Sequence, residues 1–133
     1  MGRVEDVILR DYEAFQNGNL EGALRGWRAS GVLRPLPGGK AYRGRDEVET
    51  FLSKDIHELD AFDFRIYTIL EQGELALIFG RYSMREEGGE VVDKGIFWIA
   101  HLEDEEYLSF EAFENVGEAF AEFRRRLSGL KSL

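Results

Sequence analysis

Apolar spacing changes character once along this chain, and that change restricts the fold more than any single motif does. As far as Ile56 the apolar residues recur three and four apart, the period of a helix face, and from residue 61 they follow the composition and spacing of strands. Val4, Val7, Ile8, Tyr12 and Phe15 form one helical stripe over residues 4–16, ended by the turn residues Asn17-Gly18-Asn19. Asn19 then caps a second helix, with Leu20, Ala23, Leu24 and Trp27 on its apolar side up to Ser30-Gly31. A short strand from Val32 to Leu36 runs into Pro37-Gly38-Gly39, and its prolines make it an edge or a bent segment. Gly44 or Asp46 opens a third helix carrying Val48, Phe51, Leu52 and Ile56.

Four strands follow: Phe62 to Ile69, Leu75 to Arg85, Val91 to Leu102 and Tyr107 to Phe113. Their connections, Gln72-Gly73-Glu74, Glu87-Gly88-Gly89 and Glu103-Asp104-Glu105-Glu106, are short enough for hairpins, so an antiparallel meander is the simplest topology. Asn115, with Glu118 three positions later, is close to a capping box and starts a last helix with Ala119, Phe120, Phe123 and Leu127 on one face. Helices first and a meander afterwards give an α+β domain, and 133 residues hold one such domain, spanning 1–133. The run Ile96-Phe97-Trp98-Ile99 is apolar at successive positions, so both faces of its strand need cover. Helices on one face leave the other for a second copy, and a homodimer through the sheet face is expected.

Charge and composition narrow the partners. A formal charge of −9 repels phosphate backbones and anionic lipid, which argues against nucleic acid and membrane. The start, Met1-Gly2-Arg3-Val4-Glu5-Asp6, turns acidic where a secretion signal would be apolar, and no apolar run reaches the ~20 residues of a membrane span, so a cytoplasmic protein is expected. There is no cysteine, and the two histidines lie far apart, so no metal-ligand spacing exists and neither metal nor cofactor is expected.

Asp11 is the most informative single residue. On a helical wheel at ~100° per residue it falls between Val7 and Phe15, inside the apolar stripe, where an unpaired carboxylate would cost several kcal/mol or stay protonated. It needs a partner or a function. Arg34 is one candidate partner, so the two form either a buried ion pair or the polar groups of a ligand site. If the last hairpin turns at Asp104-Glu105, Trp98 stands opposite Glu111 with Phe113 beside it, and Glu111 becomes a pocket carboxylate; a register slip of one residue sends it to the outer face.

Three segments carry a resemblance. Tyr12-Glu13-Ala14-Phe15-Gln16-Asn17-Gly18-Asn19-Leu20, Tyr42-Arg43-Gly44-Arg45-Asp46-Glu47-Val48, and Phe113-Glu114-Asn115 leading into Glu118-Ala119-Phe120 resemble, in order and spacing, the nuclear transport factor 2-like superfamily, and within it the SnoaL-like, or polyketide-cyclase-like, branch. That resemblance implies a cone-shaped, cystatin-like fold: a curved antiparallel sheet wrapped around the N-terminal helices, a C-terminal helix, and an apolar pocket between them. The superfamily includes ketosteroid isomerases, cyclases, epoxide hydrolases, dehydratases and transport factors, so fold does not decide function.

Counted from Gly18-Asn19-Leu20, Asp11 matches the position of the isomerases' oxyanion-hole tyrosine, with Tyr12 one residue away. Arg34 matches their catalytic aspartate, and a guanidinium cannot serve as that base. Trp98 matches the other oxyanion-hole residue. The reading that follows is a pocket for a small, largely apolar molecule, with Tyr12, Phe15, Trp27, Trp98 and Phe113 as its lining and Asp11 and Arg34 as its polar groups. Two alternatives stand beside it: an acid/base enzyme using Asp11 or Glu111 as base and Arg34 as electrophilic stabiliser, and a non-catalytic dimeric association module.

Overall fold

The structure, a computed structural model, describes residues 3–58, 60–85 and 89–131. Helix α1, Arg3–Gln16, buries Val7 and Ile8, as its apolar spacing requires. The Asn19 side chain caps the short α2, Leu20–Leu24, by accepting from Gly22 N at 3.0 Å. This second helix is shorter than its sequence pattern suggests. The chain turns at Arg25-Gly26 and enters β1, Trp27–Arg34, so Trp27 sits on a strand and not on a helix. Gly22 and Gly26 weaken helix extension here, and the Gly26 carbonyl accepts from Tyr107 N at 2.8 Å, which docks this segment onto the sheet.

Strand β2, Tyr42–Arg43, pairs with β1 and leads into α3, Gly44–Thr50. A π-helical turn, Phe51–Asp55, and the short α4, Ile56–Glu58, continue it and bury Phe51 and Ile56. Strands β3 (Asp60–Gln72), β4 (Leu75–Arg85), β5 (Val91–Glu103) and β6 (Glu106–Phe113) then form the expected meander, and α5, Val116–Lys131, closes the chain. Asn115 Oδ1 accepts from Glu118 N at 3.1 Å at the start of α5. Of the three predicted turns, Glu87 and Gly88 lie outside the described residues.

The six strands lie in the order β2-β1-β6-β5-β4-β3, making one curved, open sheet. It is mixed, because β1 joins β6 in parallel while every other neighbour is antiparallel. Two bulges bend it. One places Tyr67 as an extra residue in β3, and the other places Leu108 as an extra residue in β6. At the first bulge Gly80 lets the Arg65 carbonyl come so close that a Cβ would stand 2.0 Å from its oxygen.

Both faces of β5 are covered, as its apolar run demands, but the second cover comes from the same chain. On the inner face Ile78, Ile96, Trp98 and Ala100 pack with Val7 and Ile8. On the outer face Leu75, Leu77 and Ile99 pack against Ala119 and Phe123 of α5. The expectation that helices cover only one face is therefore corrected: α5 crosses the sheet and covers part of the other. Beyond it, Tyr67 and Phe79 stay exposed. Among the described residues no helix is long and apolar enough to cross a membrane.

Candidate functional site

Between α1, α3 and the inner face of the sheet lies a cavity of about 100 Å³. Its walls are apolar except at Asp11 and at two tyrosines, Tyr12 and Tyr107. The helical period that puts Asp11 between Val7 and Phe15 turns its side chain inward, and only 6% of the residue is exposed.

Asp11 is fully engaged. The Tyr107 hydroxyl donates to its Oδ2 at 2.8 Å, and Arg10 Nε donates to its Oδ1 at 3.1 Å. Burial pushes the Asp11 carboxyl above its ordinary range, and the bonds from Tyr107 and Arg10 act against that rise. Burial together with the neighbouring Asp11 charge raises Tyr107 well above the usual phenol range. The Trp27 ring lies nearly flat on Tyr107, with centroids 4.7 Å apart and planes 17° apart, and holds the phenol in place. A hydroxyl donor on a buried carboxylate, both facing an apolar space, can hold or pass one proton or meet one polar group of a ligand.

The remaining predicted residues divide between two faces. Tyr12, Phe15, Trp27 and Trp98 line the cavity. The Tyr12 hydroxyl donates to the Phe64 carbonyl at 3.3 Å, and Trp98 Nε1 donates to the Pro35 carbonyl at 3.1 Å. The one indole donor is therefore already used, and Trp98 contributes its ring.

Arg34, Glu111 and Phe113 are corrections. Leu33 and Pro35 line the cavity on either side of Arg34, so strand alternation sends Arg34 to the opposite face. Its register partner there is Glu111, and its Nε is buried with no hydrogen-bond partner. Asp11 thus pairs with Tyr107 and Arg10 in place of Arg34. The last hairpin does turn at Asp104-Glu105, yet the extra residue Leu108 shifts the ladder, so Trp98 faces Ala112 while Ile99 faces Glu111. Glu111 accepts from Arg126 of α5 at 2.7 Å, and Phe113 packs with the α5 cluster. Neither lines the cavity.

Sequence reasoning missed Tyr107, Phe64 and Phe110. Phe62 and Phe64 of β3 line the cavity, as does Phe110. Tyr82 packs against the main core. Tyr107 gave one local sign, as the first aromatic residue after an acidic turn, but the bulge beside it breaks the alternation that would have revealed its face. No group of His, Cys, Asp or Glu able to hold a metal occurs among the described residues.

A curved sheet closed over N-terminal helices around an apolar cavity defines a nuclear transport factor 2-like protein. The chain belongs to the SnoaL-like domain family, whose profile matches residues 8–109. No curated protein matches it. Among solved structures it is similar to an NTF2-like protein of unknown function from Burkholderia pseudomallei, at 20% identity and a TM-score of 0.73 over 89% of this chain and 95% of that one. It is also similar to the Mycobacterium tuberculosis protein RV0760c in complex with estradiol-17beta-hemisuccinate, at 10% identity and a TM-score of 0.70 over 86% and 95% of the two chains. A third, from Catenulispora acidiphila, has a ketosteroid isomerase-like fold and is in complex with trimethylamine, at 14% identity and a TM-score of 0.68 over 86% and 89%. At such identities the likeness concerns the fold alone.

Proposed function

We propose that the cavity binds a small, largely apolar molecule whose one polar group meets Asp11 and Tyr107. The observation that carries this reading is the buried acid–phenol pair in the wall of an otherwise apolar cavity. Support comes from two solved structures of the same fold that hold small molecules, estradiol-17beta-hemisuccinate in one and trimethylamine in the other. At about 100 Å³ the space suits a compact ligand, since drug-sized molecules occupy ~300 Å³ or more. Ala23 is buried in the cavity wall, so Ala23→Met fills the space without adding a charge. Thermal-shift titration with compact apolar alcohols and amines is expected to stabilise the wild type and leave Ala23→Met unmoved. Equal shifts in both would sink the reading.

A second reading, acid/base catalysis on a polyketide-like or terpenoid-like substrate, is favoured by one observation, the upward-shifted carboxyl of Asp11 beside a hydroxyl donor. In this reading Asp11 is the base and Tyr107 the stabilising donor. Turnover of hydroxy-ketones or epoxides above the buffer rate, lost in Asp11→Asn, is the expected sign; no turnover in the wild type counts against it.

Self-association belongs to the same proposal. Tyr67, Phe79 and Phe97 form a ladder on the outer face, with successive centroids 5.9 and 5.2 Å apart, and this apolar strip fits a second copy of the chain in a homodimer. Sedimentation is expected to give a dimer that Phe79→Glu dissociates, and a monomeric wild type would rule the dimer out. The absence of cysteine is compatible with a cytoplasmic setting.

A further inference from the structure

The walls of the cavity carry information about charge as well as size. Five rings form a continuous belt: Phe15 to Phe64, Phe64 to Trp98, Trp98 to Phe110 and Phe110 to Tyr107, with centroids 5.4, 5.8, 6.0 and 6.1 Å apart. The belt ends where the Tyr107 hydroxyl meets the Asp11 carboxyl at 2.8 Å. Every ring face carries partial negative charge, and among the residues lining the cavity Asp11 is the one acidic group and no Lys, Arg or His is present.

Three classes of ligand fare differently in such a space. An anion would lose its hydration and meet a carboxylate with no counter-charge in the wall. A neutral molecule gains apolar burial alone. A cation with an apolar shell gains the same burial together with attraction from the rings and from Asp11. Arg10, 3.1 Å from Asp11 Oδ1, offsets part of that field from outside. It lies outside the cavity lining, and its Nη1 is 3.7 Å from Glu105 Oε1, so one cation is shared between two carboxylates. The formal charge of −9 on the whole chain also raises the local concentration of cations.

We propose that the cavity selects a small alkylammonium cation, of the size of a trimethylammonium group, over a neutral molecule of the same shape. This rests on the reading of the cavity as a small-molecule site and specifies its ligand class. The belt would surround the alkyl shell while Asp11 supplies the counter-charge, an arrangement in which size and charge are both read.

The test compares choline with dimethylbutanol, its neutral isostere in which a quaternary carbon replaces the nitrogen, by calorimetric titration of the full chain at low salt. Choline is expected to bind about tenfold tighter or more. Asp11→Asn is expected to weaken choline far more than dimethylbutanol and so to remove most of that preference. Should Asp11→Asn not fold, Phe110→Leu keeps apolar bulk and removes one ring, and is expected to weaken choline more than dimethylbutanol. If the alcohol binds as well as choline, the charge selectivity is wrong and the small-molecule site stands. If neither binds at millimolar concentration, both are wrong.

Discussion

The Tyr107 hydroxyl donates to Asp11 Oδ2 at 2.8 Å, joining the first helix to the last strand across 96 positions of sequence. Both residues are buried, so the bond fixes how α1 lies against the sheet and sets the one acidic point in the cavity wall. A buried carboxylate tolerates its place only while donors face it.

Removing the phenol hydroxyl leaves Asp11 with Arg10 alone. Tyr107→Phe is expected to cost about 1–3 kcal/mol of folding stability and to raise the Asp11 carboxyl further, because a bond that lowers it disappears. Urea unfolding and carbon NMR titration of the Asp11 carboxyl read the two effects, and an unmoved titration would show that the bond does not hold the acid.

The same acid gives a pH dependence with a definite sign. The folded-state value of Asp11 lies above its ordinary 3.8, so the folded protein holds that proton more tightly than the unfolded chain does. Its contribution to stability is full below 3.8 and is lost as pH rises through the raised folded value. Glu122 acts oppositely. Its hydrogen bond from Arg125 is the main cause that lowers it from 4.5 to about 2, so its contribution is present above 4.5 and lost as pH falls toward 2. Asp11→Asn removes the first effect and keeps the second. The Tm of the wild type minus that of Asp11→Asn is expected to fall as pH rises from 3.8, and a constant difference would contradict the burial argument.

Gly80 is required by a close backbone approach. A Cβ there would stand 2.0 Å from the Arg65 carbonyl oxygen and 2.9 Å from the Trp98 ring, and the bulged β3 backbone cannot retreat without breaking its pairing. Gly80→Ala is expected to lower stability by about 3 kcal/mol. A denaturation midpoint equal to the wild type would mean that β3 shifts freely.

The outer face separates stability from binding. Phe113 packs with the α5 cluster, away from the cavity, so Phe113→Ala is expected to cost about 2–3 kcal/mol while ligand affinity holds. Calorimetry and unfolding on one preparation check both. A loss of affinity at unchanged stability would return Phe113 to the ligand site.

Helix and strand positions were largely legible because period carries them: Asp11 inside the stripe of α1, the four meander strands, and the Asn19 and Asn115 caps all follow from local pattern. What escaped depends on events that leave no period. One extra residue, Leu108, moves Glu111 and Phe113 to the α5 side, and a turn at Arg25-Gly26 takes Trp27 from helix to strand. The partner of Asp11 escaped for another reason. Tyr107 reaches it through tertiary packing from 96 positions away, and nothing near Asp11 in sequence signals a phenol.

A crystal structure of the protein soaked with the ligand that gives the largest thermal shift tests the binding site most directly. The expected result is a molecule packed among Phe64, Trp98 and Phe110, with its polar atom within hydrogen-bond reach of Asp11 or Tyr107. The same ligand seated elsewhere, with this cavity empty, would contradict the assignment.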